Sequence, residues 1–339
     1  METGQSFYPI CWGKRKFVDC IILKKLNKIK TEGIMDIVQT NLLKQVTDLH
    51  GLPTGAYNIR ANGTSISRNT TDHIDIVTKK DKAGIDIIIR PGTRNEQIHI
   101  PVILSQSGLK EMVYNDFYIG DDSNVVIIAG CGIHNSGEQD SRHDGIHSFY
   151  VGRNCHVRYI EKHYGSGSGN GQRIMNPTTV VDLKENSFME MEMLQIKGVD
   201  STNRCTSASL ANNAKLTLTE RLMTHGNQSA ESAFHVNLNG EDSSTNLISR
   251  AVAKDHSKQF FLAEITGNNR CTGHSECDAI IMDQAKISAV PQITANHLDA
   301  ALIHEAAIGK IAGEQIIKLM SLGLTEAEAE AQIVNGFLQ

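Results

Sequence analysis

Aromatic side chains are scarce in this chain of 339 residues: Phe 9, Tyr 7 and Trp 1, 5% in all. A sandwich packed on large rings is therefore disfavoured, and the core must be filled by aliphatic and β-branched side chains. Long apolar runs are absent too. Phe17 to Leu23 and Val125 to Gly130 are the longest, far below the roughly 18 residues that cross a bilayer, so no transmembrane helix is expected. There is no surplus of positive charge: Lys+Arg 33 against Asp+Glu 38 gives a net charge of −5, which excludes a generic nucleic-acid binder. With 40% hydrophobic residues a disordered polymer is excluded as well. CxxC pairs are missing; the seven cysteines (Cys11, Cys20, Cys131, Cys155, Cys205, Cys271 and Cys277) are odd in number and widely spaced. They read as reduced thiols of a cytoplasmic protein, not as a disulfide framework. No P-loop occurs, so any ATP dependence must come from a partner. The Gly-rich run Gly165 to Gly171 lacks the preceding apolar strand and following helix of a dinucleotide site, and reads as a mobile loop.

What is present is unevenly distributed. In residues 1–34 seven Lys and Arg stand against three acidic residues, leaving the remainder near −9. Without a charged, apolar and small-residue order this stretch does not read as a cleaved signal peptide. It reads as a basic extension or as sequence upstream of a natural start at Met35, and carries no functional argument. Residues 35–90 are expected to form an N-terminal helix and the first strands.

From Ala56 onward period-two alternation dominates, as in His73-Ile74-Asp75-Ile76-Val77 and Ile85-Asp86-Ile87-Ile88-Ile89, which means strands with one buried face. Polar turns that open such strands recur at Asp122, Asn154, Asn186, Asn213 and Asp242, at intervals of 32, 32, 27 and 29 residues. Stacked coils of a parallel β-helix leave this trace, since each coil buries its inner face only against its neighbours. An antiparallel sandwich would place turns every 8–12 residues or so. Residues 91–295 are accordingly assigned to the solenoid. After Pro291 the composition turns helical, over Ala300 to Ile311 and Glu314 to Met320, and Thr325 with Glu328 forms a capping box that opens a last helix. Residues 296–339 are thus expected to be a C-terminal helical segment, either a cap on the last coil or a docking face.

Three polar clusters could carry chemistry. The first contains Cys131, His134, His143, Asp144, His147, Cys155, His156 and His163; the second is Cys271 to Asp278; the third is His304-Glu305. Cys and His suit zinc or iron, yet no spacing matches a closed zinc module, and His and Asp at solenoid turns also bond backbone amides. Cys271 and Cys277 would share one face of a continuous strand, but Gly273 and the polar run read as a turn. A hydrolase or lyase using His134, His143 and His147 is the enzymatic alternative.

The order Gly267-Asn268-Asn269-Arg270-Cys271-Thr272-Gly273-His274-Ser275-Glu276-Cys277-Asp278, then His304-Glu305-Ala306, Gly309-Lys310-Ile311, Gly323-Leu324 and Asn335-Gly336-Phe337, resembles the C-terminal half of the SufB/SufD family. Upstream, Cys131-Gly132-Ile133-His134, His143-Asp144-Gly145-Ile146-His147 and Glu161-Lys162-His163 resemble short members of that family, SufB-like in kind. The resemblance implies a right-handed parallel β-helix between helical ends, and a scaffold of the SUF system rather than an enzyme. Such a scaffold assembles a transient iron–sulfur cluster, expected to be [4Fe-4S], at a subunit interface. It implies Cys277, His304 and Glu305 as metal ligands, with Ile303 standing where the family's Glu-His-Glu motif begins. Cys205 is a candidate for the sulfur-accepting thiol. The implied partners are a SufC-type ABC ATPase docked on the C-terminal helices, a second copy or a SufB/SufD paralogue, a sulfur donor and apo-proteins. A SufD-like structural subunit without its own cluster is the alternative within the family.

Overall fold

The period-two alternation becomes strand in a computed structural model that describes residues 35–49 and 51–339. The basic extension assigned to residues 1–34, with Cys11 and Cys20, lies outside the described residues. In chain order the strands are β1 (Ala56–Ala61), β2 (Thr64–Asn69), β3 (Ile74–Thr78), β4 (Gly84–Ile89), β5 (Arg94–Leu104), β6 (Lys110–Ile119) and β7 (Asn124–His134). There follow β8 (Ser141–Val151), β9 (His156–Ser166), β10 (Arg173–Met175), β11 (Thr178–Leu183), β12 (Phe188–Lys197), β13 (Ser201–Leu210) and β14 (Lys215–Thr224). The last are β15 (Ser229–Leu238), β16 (Ser243–Ala253), β17 (Lys258–Gly267), β18 (Cys271–Ile281), β19 (Lys286–Ala295) and β20 (Ala300–Gly309). Helix α1 (Ile37–Thr47) precedes them; α2 (Gly313–Ser321) and α3 (Glu326–Phe337) follow.

Alternate strands enter alternate sheets. One sheet runs β2-β1-β5-β7-β9-β12-β14-β16-β18-β20, and the other runs β19-β17-β15-β13-β10-β8-β6-β4-β3, with β11 also bridging β8 and β13. Apart from the hairpins β1/β2 and β3/β4, the ladders are parallel. The chain is the parallel β-helix that alternation and turn spacing predict.

The turns obey the same logic. Asp122, Asn154, Asn186, Asn213 and Asp242 all have φ between 54° and 61°, the left-handed region that Asx residues tolerate best after glycine. Their side chains also stack: Asn154 Nδ2 donates to Asp122 Oδ1 at 3.1 Å, and Asn186 Nδ2 to Asn154 Oδ1 at 3.2 Å. Inside, Phe117 stacks on Phe149 with centroids 4.3 Å apart, and Tyr159 meets Phe149 edge-on. Phe234 and Phe261 form a second pair further along the solenoid, with centroids 5.7 Å apart, and aliphatic rows fill most of the rest.

The first coils are closed by α1, whose start is set by a reciprocal capping box between Asp36 and Gln39. It lays Leu42, Leu43 and Val46 onto the outer face of the first sheet. Gly130 permits this approach, since a Cβ there would meet Val46 O at 2.5 Å.

Two local expectations are corrected. Ala300–Gly309 is strand, not helix, because the edge of β18 offers it ten residues of parallel partner and that pairing outweighs the helical preference of its alanines. The helices begin only at Gly313, and the Thr325–Glu328 capping box does open α3. The glycines after β9 form a loop stacked on the preceding coil: Cβ atoms at Gly169 and Gly171 would lie 2.2 Å from the carbonyl oxygens of Gly137 and Gln139. They serve close backbone contact, not mobility.

Truncation of a stacked core ring tests the account of the core. Phe117→Ala should lower unfolding free energy by about 3–5 kcal/mol in urea titration, whereas a surface ring at Tyr118 should cost far less.

Candidate functional site

Strand β18 alternates buried and half-exposed positions, with Cys271, Ser275 and Cys277 on its lumen face. The two cysteines therefore share one face of one strand, and the turn expected at Gly273 does not occur. Strand β20 pairs in register, Ser275 opposite His304, Glu276 opposite Glu305 and Cys277 opposite Ala306. His304 thus lies on the lumen face of the last coil, one pleat from Cys277, and its buried Nδ1 has no hydrogen-bond partner. Glu305 takes the opposite face, with its Oε2 3.8 Å from Nε2 of His274. The structure brings Cys277 and His304 to one side of the sheet and sends Glu305 to the other. Burial pushes the Cys277 thiol up to about 11, with help from Glu220 and Asp278, so binding a metal must displace its proton.

The first cluster divides in the same way. His134 lies on the outer face beside α1, bonded to Ser166 Oγ at 3.0 Å. Cys131, His143, His147 and His163 point into the lumen instead. His134, His143 and His147 therefore form no common site, which removes the constellation the enzymatic alternative required. Cys205 is half-buried on the outer face of β13 and opposes no lumen thiol.

Sequence reasoning missed what lies between these groups. One inward row reads Ala129, Glu161, Met193, Glu220, Ser249 and Cys277 across successive strands. Arg204, reaching in from the facing sheet, lies 2.5 Å from Glu161 Oε2, and its Nε lies 3.5 Å from Glu220 Oε1. Glu220 Oε2 accepts from Ser249 Oγ at 3.1 Å, which sits beside Cys277. All of these side chains are buried. Burial raises the Glu161 carboxyl, but Arg204, His163 and His147 together overcome this and hold it well below the usual carboxylate range. A hydrogen-bonded and ionic file thus runs through the solenoid toward Cys277. Its signal was available in sequence: Glu161, Arg204 and Glu220 occupy positions that the alternation of β9, β13 and β14 reserves for apolar side chains.

At the far end of the file, burial and the neighbouring His147 and His163 push His143 down to about 3. Its folded value lies below the ordinary 6.5, so its contribution to stability is complete above pH 6.5 and is lost as pH falls toward 3. In the metal-free chain the urea midpoint should fall between pH 7 and pH 5, and His143→Gln should flatten that dependence by up to about 1.4 kcal/mol per pH unit. Arg204→Met leaves two buried carboxylates without their cation. It should cost about 3–5 kcal/mol at pH 7, with partial recovery in Arg204→Met combined with Glu161→Gln and Glu220→Gln, measured by urea denaturation.

Against known proteins, residues 107–337 match the family described as SUF system FeS cluster assembly, SufBD core domain. An iron–sulfur cluster assembly SufBD family protein of Methanothermobacter thermautotrophicus (strain Delta H) is 28% identical over 268 residues, covering 76% of this chain and 63% of that protein. One from Archaeoglobus fulgidus is 28% identical over 265 residues, covering 77% of this chain and 69% of its own length. One from Methanocaldococcus jannaschii is 26% identical over 260 residues, with 76% and 81% covered. The match therefore spans less than two thirds of the first of these relatives.

Proposed function

The chain belongs to the SufBD family of the SUF iron–sulfur assembly system, and from that premise we propose that it is a SufB-like scaffold subunit. A nascent cluster, of the [4Fe-4S] type, is its cargo and passes on to apo-proteins. The observation that carries this reading is the presence of Cys277 and of His304, whose buried Nδ1 has no hydrogen-bond partner, on the same lumen face of the last two coils, where the solenoid end is uncovered.

The donor chemistry suits a carrier. Cys277 as thiolate binds iron strongly, while the His304 imidazole exchanges more readily. Glu305 faces outward, so its carboxylate reaches a cluster only when that cluster is shared with a second subunit. Val290, Ile293, Ile303 and Ile308 are exposed on the terminal coil, which supports a second copy or a SufB/SufD paralogue as the neighbour. Helix α2 and the residue that ends it leave Ile317, Met320 and Leu322 exposed, an apolar face for a SufC-type ABC ATPase. In this reading the partner hydrolyses ATP and the chain itself acts as a scaffold rather than as an enzyme. Its site of action is the cytoplasm, where thiols stay reduced. A sulfur donor completes the set of partners.

The outward placement of Glu305 favours one second reading, a SufD-like subunit that binds the ATPase and holds no cluster alone. Iron and sulfide content after anaerobic purification separates the two. For the first reading, anaerobic reconstitution should give a brown chromophore that Cys277→Ser abolishes and His304→Ala weakens. An unchanged visible spectrum in Cys277→Ser overturns it.

A further inference from the structure

Two serines flank Cys277 on the lumen face, and they differ in what their hydroxyls bond. Ser249, one coil inward and in register with Cys277, donates to Glu220 Oε2 at 3.1 Å. Ser275, two residues before Cys277 on β18, is 2% exposed and its Oγ has no hydrogen-bond partner. A buried hydroxyl left unpaired is costly, so this one calls for an acceptor. Its apolar neighbours do not provide one: Leu247 lies opposite Ser275 one coil inward, and Leu302 packs over Gly273 at the preceding lumen position, where a Cβ would meet it at 2.8 Å.

The residue opposite Ser275 one coil outward is His304, whose buried Nδ1 is also without a partner. The hydroxyl and the imidazole do not satisfy each other, although the register sets them on neighbouring strands. Deeper in the lumen the surroundings differ: His143, among Cys131, His147 and His163 around Gly145, has Glu111 Oε2 3.9 Å from its Nδ1. At Ser275 the free groups are complementary in kind. They are one O–H donor, one imidazole nitrogen and the thiol of Cys277, all on one face of the last two coils. A hydroxyl donor pairs with an anionic acceptor, while thiolate and imidazole pair with a metal. An iron–sulfide unit offers both.

We propose that Ser275 is a cargo-contacting residue of the cluster end, its hydroxyl donating a hydrogen bond to an inorganic sulfide of the nascent cluster while Cys277 and His304 hold its iron. The inference rests on the scaffold reading above and adds to it a residue that meets sulfide. Only a hydrogen bond forms: the proton stays on the serine oxygen and no electron moves. Cys277 and His304 supply two donors, and among the described residues no three His, Cys, Asp or Glu side chains gather as an ion site. The remaining coordination falls to sulfide and to a second subunit, and a donor to sulfide is what this chain still contributes. Hydrogen bonds to cluster sulfur favour the reduced, more negative state, so Ser275 raises the reduction potential of the cargo.

The test is anaerobic reconstitution of the full-length chain with iron salts and sulfide, followed by a reductive titration read in the visible spectrum. Ser275→Ala should keep the brown chromophore and move its midpoint to more negative potential. Ser275→Thr, which keeps the hydroxyl, should hold the unmodified midpoint. Ser249→Ala, whose lost hydroxyl was committed to Glu220, should leave the midpoint in place. If Ser275→Ala loses the chromophore outright, retention in Ser275→Thr supports the contact and loss in both overturns it. A chromophore that Cys277→Ser abolishes, with the unmodified midpoint in Ser275→Ala or an equal shift in Ser249→Ala, overturns this inference and leaves the scaffold reading standing. No chromophore in the unmodified chain overturns both.

Discussion

In-register parallel pairing between successive coils is the constraint on which the rest of this protein depends. Each strand contributes its inward residues to rows that cross the sheet, so the environment of any lumen side chain is set by residues one coil before and after it. A row such as Ile127, Tyr159, Met191, Leu218 and Leu247 is aliphatic except for one tyrosine. The next positions along that row are Ser275 and His304. This row thus becomes polar where the coils end, and the candidate cluster ligands lie there.

The same stacking explains how charges survive in the interior. Glu161 and Glu220 are buried, and each alone would be costly to ionise in a dry lumen. Arg204 projects from the opposite sheet between them, and Ser232 and Ser249 complete the oxygens of Glu220. This file is less economical for stability than an aliphatic core would be. It makes the lumen a polar connection between the imidazoles around Gly145 and the thiol at Cys277.

Much of the fold was legible because its signals are local. Asx turns at near-constant spacing reflect a backbone conformation that few residues adopt, and alternation reflects the two faces of a strand. The errors arose where local preference and tertiary pairing disagree. Ala300–Gly309 is alanine-rich and looks helical alone, yet an open strand edge recruited it. Gly273 looked like a turn, yet in β18 it makes room for Leu302 of the next coil, which a Cβ would meet at 2.8 Å. For the site, family resemblance pointed to Cys277, His304 and Glu305, but not to the faces they occupy.

The sequence by itself determined the coil architecture, the capped ends and the residues capable of chemistry, because turn conformation, alternation and donor type are properties of single residues and near neighbours. Only the tertiary structure decided which of those residues meet. His134 and Glu305 were turned outward, His143, His147, His163 and Cys131 were gathered around Gly145, and Arg204 was placed between two glutamates. The physical reason is register: a one-residue slip in any strand exchanges its lumen and outer faces, and that choice is made by pairing with residues about thirty positions away.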